Sequence, residues 1–252
     1  MSGRIEAVWI NASPSLQGFD RPLLKQLSEQ IGIVQWQYDQ TPDEPTCLDT
    51  AVDLLHDYCQ QQPHSLHLLG HGTGGLLGLL YARRYPHRVQ SLTLLSVGVH
   101  PAIDWQAHYY LHLQLLPCNR ETVLRQMVYY LFGYQSQPVR QNLLRTLEAD
   151  LSTSLSPQTL FSRVQVPSGQ AWVPLLACSG QNDLIVDPIQ LNGWESFLEP
   201  GDRLWQCPGG RYFFHYVYPQ DTSQQILNFW ASLTQPSPLD STVVNPYQPL
   251  YC

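Results

Sequence analysis

Apolar residues recur along this chain in two alternating rhythms. Short segments at 4–11, 31–38, 65–70, 89–97, 173–178 and 202–207, apolar or alternating in pattern, predict strands. Between them, apolar residues three and four apart predict helices over 22–30, 47–60, 76–85 and 221–233. Leu23, Leu24 and Leu27 form the apolar stripe of the first helix, and Ala51, Leu54, Leu55 and Tyr58 that of the second. Strands alternating with helices imply right-handed βαβ units. The predicted fold is therefore α/β, with a mostly parallel sheet of about six strands covered by helices on both faces.

From 100 to 170 the strand rhythm stops and helical spacing alone continues, over 105–116, 121–132 and 139–149. Pro117 and Pro138 separate these segments, and Asn119 and Ser136 stand where N-caps belong. The expected organisation is an α/β core over 1–99 and 171–233, a helical cap inserted at 100–170, and a tail over 234–252. That tail carries Pro236, Pro238, Pro246 and Pro249 and is expected to be extended. No internal repeat interrupts the pattern.

Composition narrows the function classes. A chain of 252 residues suits a single α/β domain. Its formal charge of −7 and the absence of a basic run argue against nucleic-acid binding, which needs clustered Lys and Arg on phosphates. Met1 to Glu6 lacks a secretory pattern and no apolar run approaches a membrane span, so a cytoplasmic protein without a transmembrane segment is expected. Six scattered cysteines offer neither metal-cage nor disulfide-framework spacing. Cys252, at the chain end, is the one expected to expose its thiol. No cofactor and no metal are implied.

The chemistry is concentrated at Gly70-His71-Gly72-Thr73-Gly74-Gly75. This is a G-x-S-x-G strand-to-helix turn with glycine in place of serine. Two further loops follow, Ser179-Gly180-Gln181-Asn182-Asp183 and Gly209-Gly210-Arg211-Tyr212-Phe213-Phe214-His215. In these three loops, taken in this order over 4–233, the chain resembles the α/β-hydrolase fold family. The resemblance places the nucleophile at Gly72, the acid at Asp183 and the base at Arg211. Gly72 has no attacking atom, and a guanidinium cannot serve as a general base. On this resemblance the first strand, at 4–11, corresponds to the one that carries the family's oxyanion loop, and the family's two leading strands are expected to be missing. What is implied is a pseudo-hydrolase, with Asp183 free either to form a buried clasp with Arg211, the arrangement the reach of arginine favours, or to cap its own loop.

Other residues could lend chemistry to this frame. Thr73 is expected to cap the helix that follows, and His71 to pack behind the elbow. His215 could swing toward the pocket, although a neighbouring backbone group is its commoner partner. Backbone N–H groups of Ala12 and Thr73 could form an oxyanion-type pocket beneath the cap. Trp105, Tyr109, Tyr129 and Tyr130 suit an apolar ligand slot there, or simply the core of the cap. His108 and His112 lie one helical turn apart without a third ligand. The leading expectation is a module that binds an apolar small molecule or a protein partner. The alternative is an enzyme with a non-covalent acid–base mechanism, lyase-like or an atypical hydrolase, through Asp183 and His215.

Overall fold

The structure is a computed structural model that describes residues 4–39, 47–161 and 163–233. The acidic loop at 40–46 and the tail at 234–252, with Cys252, lie outside the described residues. Six strands form one parallel sheet: β1 (Ala7–Asn11), β2 (Ile33–Gln37), β3 (Leu66–His71), β4 (Val89–Leu95), β5 (Leu175–Gly180) and β6 (Arg203–Cys207). Their spatial order is β2-β1-β3-β4-β5-β6. All five residues of β1 are buried, as are all six of β5, which is why these segments read as unbroken apolar runs. The edge strands β2 and β6 are only half-buried.

Helices cover both faces. On one side, α2 (Leu48–Gln60) and α3 (Thr73–Arg84) bury Leu55, Leu77, Leu79 and Tyr81 against Val8, Leu68 and Leu92. On the other, α1 (Gln17–Ser28) and α9 (Pro219–Leu233) bury Leu23, Leu27, Ile226 and Phe229 against Trp9, Leu69 and Leu176. The first helix begins five residues before the predicted 22, because a 3₁₀ turn at Pro14–Leu16 feeds it. Pro22 therefore sits inside the helix, where it has no N–H to give the carbonyl of Gly18. This earlier start brings Asp20 into the helix as a buried residue.

Three helices lie between β4 and β5: α4 (Trp105–Leu115), α5 (Arg120–Phe132) and α6 (Gln137–Thr153). Asn119 accepts the Thr122 N–H as an N-cap, while Ser136 occupies its cap position without a side-chain bond. Their core is Trp105, Tyr109, Val123, Met127, Val128, Leu131 and Leu147, joined by Tyr212 and Phe213 from the loop after β6. Short helices α7 (Pro188–Asn192) and α8 (Phe214–Val217) follow β5 and β6 among the described residues. Among the described residues, no helix is long and apolar enough to cross a membrane.

The strand order fixes where a site can form. From β1 the chain steps to β2 on one side and then to β3 on the other, so a crevice opens between the C-terminal ends of β1 and β3. Asn11 and His71 are the residues at those ends.

Candidate functional site

Gly72 forms the turn at the end of β3 with φ 52° and ψ −124°, a backbone region costly for any residue with a side chain. The turn packs so closely on β1 that a Cβ on Gly74 would collide with the Ile10 carbonyl oxygen. The elbow's backbone is thus intact. Its empty side-chain position has been filled from elsewhere: a Cβ on Gly72 would stand 2.6 Å from the phenolic oxygen of Tyr212. Tyr212 is buried, with its ring in the core beneath the inserted helices. Burial, with Asp104 and Asp183 nearby, holds that phenol in its neutral form.

Beside this contact a small cavity is lined by Asn11, Ala12, Asp20, His71, Gly72, Thr73, Asp104 and Tyr212. Its volume is about 20 Å³. That is room for about one water molecule. Ala12, His71 and Thr73, named from the sequence, all reach it, together with Trp105. Gly72 itself occupies the N-cap position of α3, so Thr73 does not cap the helix as expected. Instead its hydroxyl donates to Asp104 Oδ2 at 2.9 Å, and Asp104 Oδ1 accepts the Ala107 N–H as the N-cap of α4. One carboxyl thereby joins the elbow to the helices above it.

Asp183 lies at the end of a different hydrogen-bond chain. Its Oδ1 accepts the N–H groups of Ile185 and Val186 at 2.8 and 3.0 Å, and its Oδ2 is 3.0 Å from Ser96 Oγ. Ser96 Oγ also sits 2.8 Å from the Tyr212 carbonyl, which can only accept. With a single hydroxyl proton to give, Ser96 satisfies Tyr212 when Asp183 supplies the proton between them. Burial accordingly pushes the Asp183 carboxyl up to about 7.

The expected clasp between Asp183 and Arg211 does not form. Arg211 turns toward the end of α5, where Nη1 is 3.4 Å from the carbonyls of Tyr129 and Tyr130 and the guanidinium stacks 5.4 Å from the Tyr129 ring centre. The last turn of a helix exposes unpaired carbonyls, and a cation is favoured there. Asp183 takes the other reading, capping its own loop.

His215 is fully buried and its Nε2 lies 3.1 Å from Asp20 Oδ1. Asp20 Oδ2 accepts the indole N–H of Trp9 at 3.1 Å. The His71 ring stands 4.6 Å from that of His215, and His71 Nε2 donates to the Tyr212 carbonyl at 2.9 Å. Burial pushes the Asp20 carboxyl up to about 7 and both imidazoles down to about 3, so the cluster is held neutral. His215 thus takes the Asp20 carboxyl as its partner and not the neighbouring backbone group expected from sequence. Sequence reading missed Asp20, Asp104 and Tyr212. Only Tyr212 had a local signal, a bulky aromatic directly after the base position in a chain whose nucleophile is glycine.

The four cap aromatics do not share a slot. Trp105 and Tyr109 are core residues, with Trp105 Nε1 donating to Asp150 at 3.2 Å. Tyr129 covers Arg211, and Tyr130 packs edge-on against His112. Among the described residues no group of three His, Cys, Asp or Glu side chains is placed to hold a metal.

Comparison with known proteins agrees with this fold. The family model of the alpha/beta hydrolase fold matches residues 40–126. An uncharacterised protein of Synechocystis sp. (strain PCC 6803) is 47% identical over 226 residues, covering 90% of each chain. An uncharacterised protein of Nostoc sp. (strain PCC 7120) is 44% identical, covering 91% of this chain and 92% of the relative. Among solved structures, a bacterial membrane phospholipase A superposes with a TM-score of 0.73 at 17% identity, covering 92% of this chain and 80% of the other. Naproxen esterase from Bacillus subtilis gives 0.69 at 15% identity, covering 90% and 84%.

Proposed function

We propose, for a chain that belongs to the α/β-hydrolase fold family, a function of recognition in place of covalent hydrolysis. The observation that carries this reading is the Tyr212 hydroxyl standing where the side chain of residue 72 would begin. A nucleophile is absent, its space is occupied, and the residue at the base position is engaged with α5. The remaining cavity of about 20 Å³ is too small for an ester or amide substrate, whose pockets run to roughly 300 Å³ or more. This favours a protein partner over an apolar small molecule held at the elbow. In this reading the core at 1–99 and 171–233 is the rigid frame and the insertion at 100–170 is the part that meets the partner.

A purified sample tested on a series of p-nitrophenyl esters of increasing chain length is expected to show no turnover above buffer. Hydrolysis that survives repurification and falls in Thr73→Val or Asp20→Asn, with the fold retained by circular dichroism, would overturn the reading.

The neutral Asp20–His215–His71 cluster at the cavity favours a second reading, acid–base chemistry without a covalent step. A carboxyl lifted to about 7 can take or give a proton near neutral pH. Turnover of any substrate with a pH limb near neutrality that disappears in Asp20→Asn would establish it.

A further inference from the structure

The chain is acidic, with a formal charge of −7, yet four of its 13 basic residues face one another across α5 and α6. A short connection makes these helices antiparallel neighbours. Arg120 and Arg145 line one end of their seam, in a hollow of about 480 Å³ with Leu124 and Leu144. Arg125 and Arg140 line the other end, in a hollow of about 400 Å³ with Val128, Tyr129 and Tyr134. Arg125 belongs to both, so the seam is continuous. Arg211 brings its guanidinium beside Gly133, one of the residues that line the second hollow.

Within each helix the arginines are five residues apart, which spaces the two rungs by about 7.5 Å. Only one of the four makes an ion pair among the described residues, Arg125 with Glu121 at 2.6 Å. Arg140 keeps a buried Nε without a partner. Like charges facing each other across a seam raise the energy of the free protein, and an anionic partner relieves it. Tyr134, 91% exposed, adds an uncovered aromatic at the same end.

We propose that the α5–α6 seam is a docking surface for an acidic, amphipathic segment of a partner protein. Carboxylates spaced by about one helical turn meet the two arginine rungs, and apolar side chains between them enter the hollows over Leu124, Leu144 and Val128. Protein is favoured over polyphosphate because Glu121 and Glu148 also line the seam and the rest of the chain is strongly negative. This rests on the recognition reading above and gives it a surface and a partner chemistry.

The test uses the full chain and a fluorescently labelled helical peptide of Glu and Leu, with Glu four residues apart, read by anisotropy. Saturable binding is expected, weakening with added salt and falling about tenfold or more in Arg125→Glu/Arg140→Glu. Arg203→Glu, on β6, is expected to leave it unchanged. A Lys-for-Glu version of the peptide should bind the double variant better than the wild type. Binding indifferent to the double charge reversal, no binding at all, or tighter binding of an oligothymidylate or of phosphatidylserine vesicles would overturn the proposal. The ester assay is independent of the seam. Activity there sinks the recognition reading, whereas lost peptide binding in an inactive protein sinks only the docking surface.

Discussion

The phenolic oxygen of Tyr212 lies 2.6 Å from the point where a Cβ on Gly72 would be. A Cβ cannot sit that close to an oxygen without something moving, and the ring is buried in the core beneath the inserted helices. Gly72→Ser must therefore place a side chain in a backbone region that costs about 1–3 kcal/mol and displace Tyr212 as well. A drop in melting temperature is expected for the single variant. Gly72→Ser/Arg211→His is expected to remain without esterase activity, and adding Tyr212→Phe, which removes only the clashing hydroxyl, should recover part of the lost stability. A double variant with full stability and measurable ester turnover would contradict this.

Arg211 has become a tie between the core and α5. Two long hydrogen bonds to the Tyr129 and Tyr130 carbonyls, with the stacking on Tyr129, contribute about 1 kcal/mol at this half-buried site. Arg211→Ala is expected to lower stability by that amount and to speed amide exchange in the last turn of α5, leaving the sheet unaffected. Exchange that quickens evenly across the molecule would show that the tie is not local.

How much of this was legible in sequence depended on the range of the cause. The buried strands announce themselves because both faces of β1, β3 and β5 are covered, and the elbow announces itself because Gly72 and Gly74 answer to local sterics. Side-chain destinations were not local. Arg211 chose the carbonyls in the last turn of α5 over Asp183, a choice that depends on where the inserted helices dock. The Asp20–His215 pair joins residues 195 positions apart, and the helix that carries Asp20 was read as starting after it. The aromatic spacing in α4 and α5 was real, but it served packing of the insertion and cover for Arg211.

Asp183 should make stability fall as pH rises. Its folded pKa, about 7, lies above the ordinary value of 3.8, so the folded chain holds a proton that the unfolded chain has released between those values. The stabilising effect is complete below the unfolded pKa and is lost as pH climbs to about 7, at up to about 1.4 kcal/mol per pH unit for this one group. Asp183→Asn keeps an oxygen for the Ile185 and Val186 N–H groups and an N–H for Ser96. Its stability relative to wild type, from denaturant titrations at several pH values, is expected to improve steadily from pH 4 to 7 and then level. A constant difference across that window would mean that Asp183 is ionised throughout.

Asp20 and His215 provide the sharper test of a neutral interior. Both His71 and His215 are pushed down to about 3, so they oppose the carboxyls, and their contribution to stability is lost as pH falls from about 6.5 toward about 3. If the pair is neutral, with the carboxyl proton shared toward His215 Nε2, Asp20→Asn reproduces it: the amide oxygen accepts from Trp9 and the amide N–H donates to His215. That variant should cost under about 1 kcal/mol at pH 7. His215→Phe leaves Asp20 Oδ1 buried without a partner and should cost about 1–3 kcal/mol, part of which Asp20→Asn in the same chain cannot restore because its amide N–H is equally stranded. Were the pair an ion pair instead, Asp20→Asn would cost about 3–5 kcal/mol, since an imidazolium would remain in the core uncompensated. Denaturant unfolding of the two single variants and the double variant separates these cases by the size of the Asp20→Asn term.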